Sequence, residues 1–316
     1  MSIDQLCNSL DQVELLSTTT KNSPTTNINK LVNTEHGRFG TPSSNVWKPP
    51  PKPPTQIFHS FLCLDVESTC IGSSERALGN PHNLTDHQLN WLYPNEIVEW
   101  PVILLQWRIN RGRWELYEVA RYRSFVKPLW RPKVSEFCTQ LTGITQPKID
   151  NAPTLSMMLQ DFQVNFVQPH RLFTNSNRSV WVTDGPWDLR DHWVKSVFLS
   201  KLSACQIPPY LKSPINMIDM RFLLRAFIPK VCCMSVPPSL SLNESLKTFG
   251  LEFEGQEHSG IDDAANLARL LTKLTEFDCH GYGPSQWIFR VNRTLYTEPG
   301  RYFWMGKQGK CTWTAP

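Results

Sequence analysis

Three short acidic segments carry the residues of this chain best suited to chemistry. Asp65-Val66-Glu67 ends an apolar run. If that run is a strand, its period of two puts Asp65 and Glu67 on one face. Two carboxylates leaving a hydrophobic strand together are costly unless something pairs them, and a divalent metal would do so. Thr183-Asp184-Gly185-Pro186-Trp187-Asp188 follows a second apolar run. Asp188 there can serve as a helix N-cap or as a ligand, and Asp184 as a turn former or a ligand. In His258-Ser259-Gly260-Ile261-Asp262-Asp263, Gly260 permits a tight turn and Asp263 falls in a first helical turn. His258 and Asp263 can then face one point from two sides, although Asp262 and Asp263 would equally complement a helix dipole. In chain order the set reads Asp, Glu, Asp, His, Asp.

These residues need elements to hold them. Ile57 to Val66 is apolar and reads as a buried strand. Residues 71–95 are polar and read as a loop. Trp100 to Ile109 and Trp114 to Tyr122 read as strands joined at Asn110-Arg111-Gly112-Arg113, with a short segment at Phe125 to Pro128. Helices are predicted at Ser135–Thr142 (stopped by Gly143), Pro153–Val167, Asp188–Leu202, Ile218–Phe227, Leu242–Phe249 and about Gly260–Phe277, with a strand at Val180–Thr183. Hairpin strands followed by alternating helix and strand imply an α/β fold, a mixed sheet flanked by helices.

The chain has 316 residues, 40% of them apolar, and a net charge of +4. That composition excludes a wholly disordered chain, a collagen and a coiled coil. No run approaches the roughly 18 apolar residues of a membrane span, so no membrane partner is expected. The start carries Asp4, Asp11 and Glu14 and no basic stretch, unlike a secretory signal. An intracellular location follows, in cytoplasm or nucleus. Nine cysteines without a CxxC pair read as free thiols. Eight basic residues lie between Arg108 and Lys133, opposed by Glu115 and Glu118; the run reads as a solvated hairpin face or as a phosphate track. Three parts are expected: a disordered Pro-rich tail (1–56), a catalytic domain (57–276) and a C-terminal extension (277–316). The tail's prolines (Pro49-Pro50-Pro51-Lys52-Pro53-Pro54) and a short helical pattern over residues 2–17 are candidate protein-partner sites.

The five-residue set resembles the DEDDh, or DnaQ-like, 3′–5′ exonucleases, and most closely their enhanced-RNAi and histone-mRNA 3′-exonuclease branch. The resemblance rests on Phe61 through Cys70, on Glu96-Ile97-Val98-Glu99-Trp100-Pro101 and on Ser124 through Pro128. It rests further on Ser135 through Gln146, on Thr183 through Asp188 and on His258 through Asp263. It implies a ribonuclease-H-like fold over about residues 57–276. It also implies Asp65, Glu67, Asp188 and Asp263 as metal ligands, with Asp184 the fallback for Asp188, and His258 as general base. Two Mg²⁺ ions, or Mn²⁺ in their place, would clamp the scissile phosphate. The substrate would be RNA with a free 3′ end, and the product nucleoside 5′-monophosphates. Trp187 and Phe137 are candidates to stack on the terminal base, and Ser68 is a further candidate substrate contact. Other readings are a 3′–5′ DNA exonuclease of the same fold and an RNA-binding silencing adaptor without catalysis. Cys279, His280 and Cys311 suggest a degenerate GRF-like zinc element, but Trp304 and Met305 stand where another cysteine is expected. A structural zinc site needs four ligands. A β-rich extension with Arg290, Arg293 and Arg301 available to RNA is therefore favoured.

Overall fold

Alternating side chains build the sheet at the centre of the fold. The computed structural model describes residues 47–54, 56–72, 95–212, 215–227, 229 and 240–276, and the backbone of three short strands beyond them. The chain divides into residues 1–48 and 49–316, and the second unit carries every element below. Strands β1 (Ser60–Leu64), β2 (Glu67–Ser68), β3 (Ile97–Asn110), β4 (Arg113–Phe125), β5 (Ser179–Thr183), β6 (Ile215–Asp219) and β7 (Asn292–Leu295) form one mixed sheet. β1 pairs antiparallel with β3 and parallel with β5; β5 pairs parallel with β6, and β6 antiparallel with β7. β4 covers the opposite edge of β3. β1 and β2 therefore share one edge of β3, as a single strand interrupted at Asp65-Val66.

Helices cover both faces of the sheet. They are α1 (Glu136–Thr142), α2 (Gln146–Asp150), α3 (Leu155–Phe162), α4 (Trp193–Leu199), α5 (Met220–Phe227), α6 (Leu242–Thr248) and α7 (Gly260–Leu274). Phe61, Cys63, Ile103, Leu105, Val180, Val182 and Ile218 meet α5, α6 and α7 on one face. Leu62, Leu64, Val102, Leu104, Trp181 and Met217 meet α3 and α4 on the other. Each strand thus divides its side chains between two cores, as its period of two dictates. In α7, Leu267, Leu270, Leu271 and Leu274 are all buried. Each contributes roughly 1.5–3 kcal/mol relative to exposure, which anchors the helix that begins at the third acidic motif. Ser135 caps α1 by accepting the Cys138 N–H, and left-handed Gly143 ends it, as predicted.

Several predicted elements come out differently. The strand expected over Ile57–Val66 is confined to Ser60–Leu64. The helix expected from Ile218 starts at Met220, because Ile215–Asp219 is a strand that runs straight into it. The helix expected from Asp188 opens as a wide π turn over Asp188–His192 before α4. Residues 47–54, counted with the tail in the sequence, are described here, and Pro53 and Gln56 are buried. β7 falls in the expected C-terminal extension and adds a strand to the sheet beside β6; β8 (Trp304–Met305) and β9 (Cys311–Thr312) pair with each other. The segment 2–17, residues 73–94, Cys279, His280, Arg290 and Arg301 lie outside the described residues. Among the described residues no helix is long and apolar enough to cross a membrane.

Candidate active site

The interruption between β1 and β2 is where the acids gather. β1 is buried throughout and delivers Asp65 at its end; β2 resumes at Glu67, opposite Glu99 of β3. β5 is buried over four of its five residues and leads through Asp184 to Asp188. Asp188 does not act as an N-cap: its Oδ1 accepts the Val66 N–H at 2.9 Å, tying the second motif to the first. The π turn that carries Asp188 is the kind of local widening found at functional sites.

Gly260 docks the third motif. A Cβ on Gly260 would lie 2.8 Å from the Asp65 carbonyl oxygen and 3.4 Å from Glu67 Cγ. Only a residue without a side chain lets α7 start this close to the strand end. Asp263 follows in the first turn, its N–H bonded to the Ser259 carbonyl at 2.9 Å. The acid pair of this motif is divided in use. Asp262 Oδ2 accepts the Gln256 N–H at 3.1 Å and so fixes the loop. Burial raises Asp263, the His258 backbone pulls it back, and Asp262, Glu257 and Asp184 raise it further.

Electrostatics couple these carboxylates to one another, and Asp184 bears on Asp65, Asp188 and Asp263 as well. Burial pushes Asp65 well above the usual carboxylate range, and Asp188, Asp263 and Glu67 push it further. Glu67 is raised to about 9, first by burial and then by Asp263, Glu99 and Asp188. Burial also raises Asp263, to about 7, and it raises Asp188 against the opposing Val66 hydrogen bond. Like charges held together out of water disfavour ionisation in this way. The donors are hard carboxylate oxygens, the set that suits Mg²⁺ or Mn²⁺. Among the described residues no three acid, histidine or cysteine side chains already close into a coordination shell.

His258 is exposed and adopts a left-handed φ of +64°. Such a conformation is uncommon outside glycine and is enriched at functional sites. Asp184 has a different fate from Asp188. Arg221 Nη2 approaches its Oδ2 at 2.5 Å, and this pairing pulls against the rise that burial imposes on it. Phe137 and Trp187 are 37% and 39% exposed, enough for one ring surface to meet a ligand. Ser68 lies in β2, half-buried, and its carbonyl faces Cys138 Sγ at 3.7 Å. Ser135 Oγ donates to the Cys70 carbonyl at 2.7 Å, so the Phe137 helix is moored to the strand that carries Glu67.

Sequence reasoning missed supporting residues. Glu99 is fully buried beside Glu67 and paired with Arg123 Nε at 2.8 Å. Burial raises it, while Arg123 and the amides of Ile261 and Gly260 pull it back. Buried Glu96 accepts the N–H groups of Leu129, Trp130 and Arg131 at 2.8–2.9 Å, which fixes the loop before α1. Both lie in the Glu96–Pro101 segment, where two acids inside an apolar strand were the available signal. Arg221 gave no signal, since its partners lie more than thirty residues upstream in sequence.

Comparison with known proteins agrees with this geometry. Residues 62–271 match the exonuclease family, RNase_T. The 3′-5′ exonuclease eri1 of Schizosaccharomyces pombe is 29% identical over 72% of this chain and 74% of its own length. Human 3′-5′ exoribonuclease 1 is 30% identical over 70% of this chain; the match spans 54% of that protein. The crystallographic nuclease domain of 3′hExo, a DEDDh family member bound to rAMP, superposes with a TM-score of 0.57 at 26% identity. It covers 76% of this chain and 98% of that one. A 3′-exonuclease recognising the histone mRNA stem-loop shares the fold, with a TM-score of 0.55 at 24% identity over 82% and 91% of the two chains. The chain belongs to the exonuclease family, in its DEDDh branch of 3′–5′ exoribonucleases.

Proposed function

We propose that this chain shortens RNA from a free 3′ end, releasing nucleoside 5′-monophosphates, with Asp65, Glu67, Asp188 and Asp263 holding two Mg²⁺ ions and His258 as general base. The observation that carries this reading is the convergence of four carboxylates, from three distant segments, on the break between β1 and β2. Bound there, such ions would supply positive charge for the scissile phosphate, the attacking water and the leaving 3′ oxygen. The protein's own work is to hold the acids in place through the Val66–Asp188 hydrogen bond and the Gly260 contact. His258, on its exposed loop, takes the water's proton; an imidazole can do so near neutral pH. Trp187 and Phe137 stack on the last base, and Ser68 contacts the terminal nucleotide. RNA is favoured because the exonuclease relatives include proteins named for acting on RNA.

The test is purified protein on a 5′-labelled RNA, with Mg²⁺ or EDTA, beside a matched DNA and Asp65→Ala. A Mg²⁺-dependent ladder on RNA, weaker on DNA and absent in the variant, is expected. Intact RNA with a mobility shift in every lane would instead make the protein a binding adaptor, and a stronger ladder on DNA would move the substrate class.

A further inference from the structure

Asp184 and Asp188 stand four residues apart at the end of β5, both near the other acids, yet Asp188 takes the Val66 N–H while Asp184 takes a guanidinium. That guanidinium comes from α5. Arg221, in the first turn of that helix, donates from Nε and Nη2 to Asp184 Oδ2 at 2.9 and 2.5 Å. Its backbone N–H also donates to the Asp184 carbonyl at 3.1 Å. The same guanidinium lies over the indole of Trp187, with Cζ 4.7 Å from the ring centroid. The turn between them is built for this stack. Thr183 Oγ1 donates to the Gly185 carbonyl at 2.5 Å. A Cβ on Gly185 would sit 2.0 Å from the Trp187 ring, so the indole folds back over a bare glycine backbone. Trp187 is thus held by Arg221 and Gly185 and still exposes 39% of its surface, one residue before Asp188.

We infer that Arg221 is a positioning residue for the terminal nucleotide: anchored by Asp184, it locks the Trp187 ring in the orientation that stacks on the 3′-terminal base. The inference rests on the nuclease reading of the site and adds to it a residue on a separate element. A planar guanidinium suits the task because it can bond a carboxylate in its plane and stack on an aromatic face at once, which an ammonium cannot. The ligand this arrangement takes is the last nucleobase of a single strand. Stacking tolerates any base, so the device would set affinity for the 3′ end rather than sequence preference.

The test uses full-length protein and RNA carrying 2-aminopurine as its 3′-terminal base. Wild-type protein should quench the fluorophore on binding. Arg221→Ala should lose most of the quench and raise KM about tenfold, the change expected from about 1.4 kcal/mol of lost stacking, while kcat moves less. Arg221→Lys keeps the charge beside Asp184 but should not restore the quench. In a Trp187→Ala background, Arg221→Ala should add nothing. Asp184→Asn offers a second route if Arg221→Ala folds poorly, and should shift KM in the same direction while keeping its Mg²⁺ dependence. Unchanged quench and KM in Arg221→Ala, or effects of Trp187→Ala and Arg221→Ala that multiply, would overturn the inference. So would loss of Mg²⁺-dependent cleavage in Asp184→Asn with Asp188→Asn still active. If wild-type protein quenches but never cleaves, the nuclease reading fails, while the role of Arg221 is still decided by the fluorescence.

Discussion

At the start of β3, Glu99 lies fully buried opposite Glu67, itself raised by Asp263 and Asp188, with Arg123 the cation paired to Glu99. At the far end of the same strand, Arg108 pairs with Glu115, and on the neighbouring strand Arg121 pairs with Glu118, all near solvent. One hairpin therefore carries charge in two ways. The solvated part pairs Arg108 and Arg121 each with its own glutamate, the ordinary behaviour of a surface. The buried end keeps like charges together and leaves them raised in pKa. A fold tolerates that concentration of repulsion where something else is to be bound, and perturbed groups gather at such sites.

The largest effect that would break the contrast is removal of a buried acid. Asp188→Asn should lower RNA cleavage about a thousandfold or more, some 4 kcal/mol of transition-state stabilisation, while a metal-free melt shows the protein no less stable. Lost activity together with lost folding would make Asp188 structural. Next is Gly260→Ala. The new methyl meets the Asp65 carbonyl backbone, which cannot swing away, so α7 must retreat. Activity should fall on the order of a hundredfold, as small misplacements of reacting groups do, with a loss of about 1–3 kcal/mol in stability. Circular dichroism melts beside single-turnover rates would check both.

pH sharpens the comparison further. Glu67 and Asp263 have folded pKa values raised to about 9 and about 7, above their ordinary carboxylate values. Groups raised in this sense stabilise the folded state at low pH, and that contribution is lost as pH climbs through the folded pKa. In EDTA the melting temperature should therefore fall between about pH 5 and pH 9, and Mg²⁺ should restore more of it at the upper end. A flat profile would show that neither burial nor repulsion raises these acids. The smallest effect belongs to the solvated end. Arg121→Ala should change stability by about 0.5 kcal/mol or less. If the hairpin also tracks a phosphate strand, the variant should weaken RNA binding at low salt alone, as fluorescence anisotropy across a salt series would show.

Most of the sheet could be read from the chain because β3 and β4 are long and β1 and β5 are largely apolar. β6 could not, since Ile215–Asp219 passes without a break into α5 and its apolar residues fit a helix as well as a strand. β2 escaped because it is two residues long and exists only by pairing with β3. The acids themselves were visible as motifs. The preference for Asp188 over Asp184 came from the resemblance; the pairing of Asp184 with Arg221 could not be read, because tertiary packing alone brings them together. The interruption at Asp65-Val66 likewise replaced the simple alternation expected there: Asp65 and Glu67 reach the same pocket from the end of one strand and the start of the next.

On the proposed reading, Asp65, Glu67, Asp188 and Asp263 form one divalent-cation site and Asp184 stands outside it. Calorimetric titration of Mn²⁺ into wild type, Asp188→Asn and Asp184→Asn tests this directly. The account predicts binding in wild type and Asp184→Asn, with binding lost or greatly weakened in Asp188→Asn. Binding that survives in Asp188→Asn and disappears in Asp184→Asn would contradict it.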